Sequence, residues 1–163
     1  MWWWMLAASA WAAPEMIPVD VFEAAKQPDA PTSIEFHMAD GTTQHLTDHK
    51  GRKLVLSFWA SWCGPCRKEL PALSAWAKEN PNVDVIAVNV DRDRNMADRF
   101  LRAVPVDLPI AYDPDANALG GYDVTAMPTM FVFDTKGSLV FRKVGFNEAA
   151  GLTEILTAVQ GAK

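Results

Sequence analysis

Apolar and polar positions change period several times along the chain, and each change predicts an element. Leu54, Val55, Leu56, Phe58 and Trp59 form a nearly continuous apolar run, the pattern of a strand covered on both faces. Val83 to Val90 repeats it. Between them Leu70, Leu73, Trp76 and Ala77 recur at helical spacing, which predicts a helix from about Cys66 to Asn80. A helix between two such strands is a parallel βαβ unit with a right-handed crossover. Pro71 falls inside that helix and is expected to kink it. Upstream, Ser33 to Met38 alternates polar and apolar residues, Asp40-Gly41 marks a turn, and Thr42 to Leu46 returns as a second strand.

Downstream, Asp91-Arg92-Asp93-Arg94 alternates in sign and reads as the solvated start of a helix over 95–103. Met96, Phe100 and Leu101 are its expected buried residues, and Met96 and Met130 read as core. A short strand is expected within 104–111, and a short helix from Asp113 that Gly120-Gly121 stops. Met130–Phe133 and Ser138–Lys143, joined by Asp134-Thr135-Lys136-Gly137, predict an antiparallel hairpin. A closing helix is expected from Glu148 to Val159. Asn147 would cap it, and Leu152, Ile155, Leu156 and Val159 would share one face.

The length, 163 residues, suits one domain with a sizeable core. The net charge of −5 and the lack of a basic stretch argue against nucleic acid as a partner. Residues 1–12 are read as a signal peptide. Trp2 to Ala12 is apolar but too short to span a bilayer as a helix, and Ala10 and Ala12 fit a cleavage site. No Lys or Arg precedes the apolar stretch, which departs from the usual signal; an uncleaved anchor and an apolar tail are the alternatives. Residues 13–31, with Pro14, Pro18, Pro28 and Pro31 in or near them, read as a linker. Residues 32–163 are expected to form the folded domain.

The chemistry centres on Cys63 and Cys66, the only cysteines in the chain. Pro65 suits the first turn of a helix, so Cys63 is expected at a helix N-terminus. Free N–H groups and the helix dipole there favour thiolate over thiol. The thiolate is the attacking species in disulfide exchange. Cys63 is therefore expected to be the exposed nucleophile, and Cys66 the shielded resolving thiol. Two other readings of a C-x-x-C stand beside this one. A zinc site would need two more ligands, and His37, His45 and His49 all lie upstream in a polar stretch that reads as surface. A static disulfide over so short a loop would constrain the unfolded chain little.

Trp62-Cys63-Gly64-Pro65-Cys66 after a strand, Pro71 beyond it, and Met127-Pro128-Thr129 before an apolar run together resemble the thioredoxin superfamily over about 32–160. The resemblance implies an α/β thioredoxin fold. That is a mixed central sheet flanked by helices on both faces, with an N-terminal β-hairpin and a central βα insertion. It implies a cis bond at Pro128, facing the cysteines, and pairing of the Met127 backbone with an extended substrate. Trp62, beside Gly64 and Pro65, would give polypeptides an apolar docking surface. Ser57 is a departure, because ordinary thioredoxins carry an aspartate there that assists proton transfer to the resolving cysteine. Glu69, three residues after Cys66, offers itself instead. A glutamate within Cys66-Arg67-Lys68-Glu69-Leu70-Pro71 resembles the TlpA/ResA-type extracytoplasmic thiol–disulfide oxidoreductases. The alternative for Glu69 is a solvated carboxylate paired with Lys68 or another surface group.

These readings predict a monomeric thiol–disulfide oxidoreductase without a cofactor, reducing protein disulfides outside the cytoplasm. Gly64-Pro65, the thioredoxin pair, points to a reductant. The resemblance implies a thiol electron donor in the membrane and a role in cytochrome c maturation or copper-site assembly. The alternative is a Cu(I) carrier that adds Met127 or a histidine to the two thiolates, which suit a soft metal. A peroxidase of the AhpC type lacks support at the cysteine turn.

Overall fold

The strand over Leu54–Trp59 is the one the sheet is built around. A computed structural model describes residues 33–162, so the segments read as signal peptide and linker lie outside the described residues. The strands are β1 (Glu35–Met38), β2 (Thr43–His45), β3 (Lys53–Trp59), β4 (Val83–Asn89), β5 (Ile110–Tyr112), β6 (Thr129–Phe133) and β7 (Leu139–Val144). The helices are α1 (Cys66–Glu79), α2 (Arg94–Ala103), α3 (Asn117–Gly121) and α4 (Thr153–Gly161). The strands form one mixed sheet in the order β2-β1-β5-β4-β3-β6-β7. β3, β4 and β5 run parallel, while β6 and β7 on one side and β1 and β2 on the other are antiparallel to their neighbours.

Side-chain alternation on β3 divides the core. Leu54, Leu56 and Phe58 pack with Ile86, Val88, Phe131, Phe133 and Tyr122 on the face covered by α3. Val55 and Trp59 face the other way, onto Leu73 and Trp76 or Leu70 of α1. That second face also receives Ile155 and Val159 of α4, and Ala97 and Phe100 of α2. Each fully buried Leu or Phe contributes about 2–3 kcal/mol through lost water contact. The mixed sheet, helices on both faces, hairpin and insertion are all as expected. α1 runs without a break through Pro71.

Several local expectations fail for physical reasons. Met96 is 44% exposed: the stripe that α2 buries is Ala97 and Phe100, and Met96 lies beside it. Asp91 is not solvated but buried, as described below. Leu46 leaves the second strand and joins His49 in a 3-10 turn, Leu46–His49. His49 is largely covered there, its Nδ1 2.8 Å from Asp84, which also accepts from Arg52 Nε at 2.6 Å. The closing helix starts at Thr153 rather than Glu148. Asn147 caps a separate turn, accepting from the Ala149 N–H at 3.0 Å. That turn closes at Gly151, whose φ of +55° suits glycine and interrupts the helix.

Candidate active site

β3 ends at Trp59, and the chain turns through Ala60–Pro65 into α1. The Cys63 N–H donates to the Ala60 carbonyl at 3.1 Å, which tightens the turn. Cys63 and Cys66 are joined as a disulfide, with Cα atoms 5.3 Å apart. The Cys66 N–H, at the first residue of α1, donates to Cys63 Sγ at 3.2 Å. Charge-assisted bonds are stronger than neutral ones, so this donor can stabilise a Cys63 thiolate once the bridge opens. Cys66 is fully buried. Cys63 was expected to be exposed, yet in this oxidised form it is only 5% exposed. It packs in a cluster with Trp59, Leu70, Phe100 and the partly buried Met127. Trp62 beside it is 70% exposed, and Gly64 and Pro65 are also exposed. Little of Cys63 therefore meets solvent, while the indole next to it in sequence is open.

Glu69 is not paired with Lys68. Lys68 reaches across to Glu148, while Glu69 lies fully buried on the face of α1 that also carries Cys66. Oε1 accepts from the Ser57 hydroxyl at 2.8 Å, and Oε2 has no hydrogen-bond partner among the described residues. Burial pushes the carboxyl up to about 7, with the Ser57 bond pulling the other way. A carboxyl at that value can both hold and release a proton near neutral pH.

The Met127–Pro128 bond is cis. Pro128 is buried and Met127 half-buried. The Pro128 carbonyl accepts from the Gly145 N–H at 2.7 Å, and Arg142 Nη2 donates to the Asp123 carbonyl at 2.7 Å. Both bonds fasten this loop to the β7 end of the sheet. The fold thus brings Trp62, Cys63, Gly64, Pro65, Cys66, Glu69 and Met127-Pro128 to one end of the molecule, as the C-terminal ends of β3 and β4 do in other α/β sheets.

One residue of the site escaped the sequence reading. Asp91, 6% exposed, accepts from the Ser61 N–H at 2.8 Å, the Ser61 hydroxyl at 2.9 Å and Asn89 Nδ2 at 2.8 Å. It ties the turn that carries Trp62 and Cys63 to the end of β4. A buried asparagine closing an apolar strand, two residues before an aspartate, was the available signal. The alternating charges that follow hid it. Among the described residues no helix is long and apolar enough to cross a membrane, and no group of three His, Cys, Asp or Glu side chains converges.

Comparison with known proteins agrees with this geometry. Thiol-disulfide oxidoreductase ResA of Bacillus subtilis is 33% identical over 114 residues, which span 69% of this chain and 63% of that protein. Sporulation thiol-disulfide oxidoreductase A of Bacillus subtilis is 31% identical over 79% of this chain and 81% of its own length. A crystal structure from Chlorobium tepidum, assigned as a thiol:disulfide interchange protein DsbE, superposes with a TM-score of 0.74 at 34% identity. That match covers 82% of this chain and 97% of the other. The Redoxin family model matches residues 24–156, and the chain belongs to the Redoxin family.

Proposed function

We propose that this protein is a thiol–disulfide oxidoreductase that reduces disulfides of protein substrates outside the cytoplasm. The observation that carries the reading is the Cys63–Cys66 bridge at the head of α1, with the Cys66 N–H on Cys63 Sγ and a buried, unpaired carboxyl oxygen on Glu69 behind it. In the reduced protein the Cys63 thiolate attacks a substrate disulfide, forms a mixed disulfide and expels one substrate thiolate. Cys66 then gives its proton to Glu69 and attacks Cys63 Sγ. The second substrate thiolate leaves, and the internal bridge forms. The substrate gains two electrons and the cysteine pair loses them. A membrane dithiol donor returns the pair to the reduced state.

Trp62 supplies the apolar platform for the polypeptide, together with Gly64 and Pro65. The Met127 backbone pairs with its extended segment. The apolar stretch and small residues over 1–12 support an extracytoplasmic location, and the protein works as a monomer. Cytochrome c maturation and copper-site assembly are the pathways whose disulfides fit a reductant of this kind.

The test is a trap. Cys66→Ser, expressed in the native cell, should accumulate proteins disulfide-linked to Cys63, and Cys63→Ser should accumulate none. An apocytochrome or a copper-assembly factor among them would name the pathway. Equal capture by both variants would overturn the reading. Cu(I) binding that survives Cys66→Ser, without disulfide reduction by the wild type, would move a copper carrier into its place.

A further inference from the structure

Position 57 is polar in the middle strand of a sheet face that Val55, Trp59, Ala87 and Met130 make largely apolar. Its register neighbours are Ala87 on β4 and Met130 on β6, both fully buried. A buried hydroxyl needs a partner, and Ser57 finds it across the β3–α1 interface in Glu69 Oε1 at 2.8 Å. The bond uses one carboxyl oxygen only. Among the described residues Oε2 stays buried and unpartnered, on the helix face shared with Cys66.

We propose that Ser57 is a positioning residue for proton transfer: its hydroxyl holds Oε1 and leaves Oε2 as the oxygen that exchanges a proton with Cys66. This rests on the role given to Glu69 above and adds its control. During resolution the Cys66 S–H bond breaks and an Oε2–H bond forms. The electron pair left on Cys66 makes the bond to Cys63 Sγ, and the pair of the broken mixed disulfide leaves on the substrate sulfur. When a donor dithiol reduces the bridge, Cys66 departs as a thiolate and takes the proton back from Oε2.

The surroundings leave Ser57 as the main polar influence on this carboxyl. Of the other charges near the head of α1, Arg67 lies over the Phe100 ring at 4.9 Å and Lys68 pairs with Glu148. Lys143 lies opposite Met130 on β7, one strand further out, and sits 3.3 Å from Glu154 of α4. Cys66 lies on the same side of the helix, and its thiol titrates only once the bridge to Cys63 is opened. A donated hydrogen bond favours the charged carboxylate. Ser57 therefore keeps Glu69 able to release its proton near neutrality, although burial drives it to hold on.

The experiment follows Glu69 ionisation by NMR of its carboxyl carbon in the oxidised protein. Stopped-flow measurements alongside it give the pH profile of mixed-disulfide resolution with a disulfide-bonded model peptide. Ser57→Ala removes one hydroxyl from a site that alanine fits. It should raise the Glu69 midpoint by about one pH unit, the size expected for losing a bond to a charged group. The resolution profile should move with it. In a Glu69→Gln background Ser57→Ala should change neither the profile nor its amplitude. A midpoint unmoved by Ser57→Ala, with a pH step that Glu69→Gln abolishes, would overturn the Ser57 inference alone. A pH step that survives Glu69→Gln would overturn the Glu69 reading beneath it.

Discussion

Asp91 grips Ser61 twice, through the backbone N–H at 2.8 Å and the hydroxyl at 2.9 Å. Ser61 immediately precedes Trp62 and Cys63, so the aspartate fixes where the active-site turn leaves the sheet. Asp91→Ala would strand these donors and that of Asn89. Each buried donor left unpaired costs about 1–3 kcal/mol. The variant should lose about 3 kcal/mol of stability in urea unfolding, and Cys63 should exchange more slowly with disulfides. Wild-type stability together with wild-type exchange would show that the turn is held by other means.

Glu69 should make the oxidised protein less stable as pH rises. Its folded value, about 7, lies above the ordinary 4.5. The stabilisation of its neutral form is complete below 4.5 and is lost progressively as pH climbs through 7. Glu69→Gln cannot ionise. Above pH 7 it should exceed the wild type by about 3 kcal/mol, and near pH 4 the two should match closely. Denaturant titrations at the two pH values check this. A Glu69→Gln advantage that is the same at both would contradict the assignment.

Trp62→Ala should separate docking from chemistry. The indole is 70% exposed and adds little to the core, so stability should change by no more than about 0.5 kcal/mol. An aromatic anchor at an interface is worth on the order of 2 kcal/mol. KM for a protein disulfide should therefore rise by about tenfold or more, while the rate with a small-molecule disulfide stays the same. Equal losses with both would mean that Trp62 acts on the sulfur rather than on the partner.

Phe100 and Met96 offer a control on the packing of α2. Phe100 is buried against Trp59, with ring centroids 4.9 Å apart, and Met96 faces solvent. Phe100→Ala should cost about 3–5 kcal/mol, and Met96→Ala less than about 0.5 kcal/mol. Thermal unfolding of both variants measures the contrast.

Much of this was legible in the chain because the relevant signals are local. The Leu54–Trp59 run, the helix behind Cys66 and the hairpin after Met127-Pro128 each carry their period within a few residues. Cys63, Cys66 and Glu69 lie within seven consecutive positions, so their approach follows from the turn before α1 and the first turn of the helix itself. What the sequence hid depends on distant partners. Asp91 reads as a surface charge until Ser61 and Asn89 are brought to it, and His49 until Asp84 is. Met96 and Phe100 both fit an apolar stripe, and only the direction from which β3 approaches decides between them. Cys63 looked exposed because turns usually are. It belongs instead to a buried cluster that draws in α2 and Met127, more than sixty residues away.

The place of β3 between β4 and β6 has one further consequence. Its amides and carbonyls from Leu54 to Phe58 are paired on both sides. In amide hydrogen exchange such positions open only when the whole domain does, whereas the short edge strand β2 should open early and often. The cysteine turn thus hangs from a strand that should be among the last to exchange. The outer strands can open in this way without moving the turn that carries Cys63.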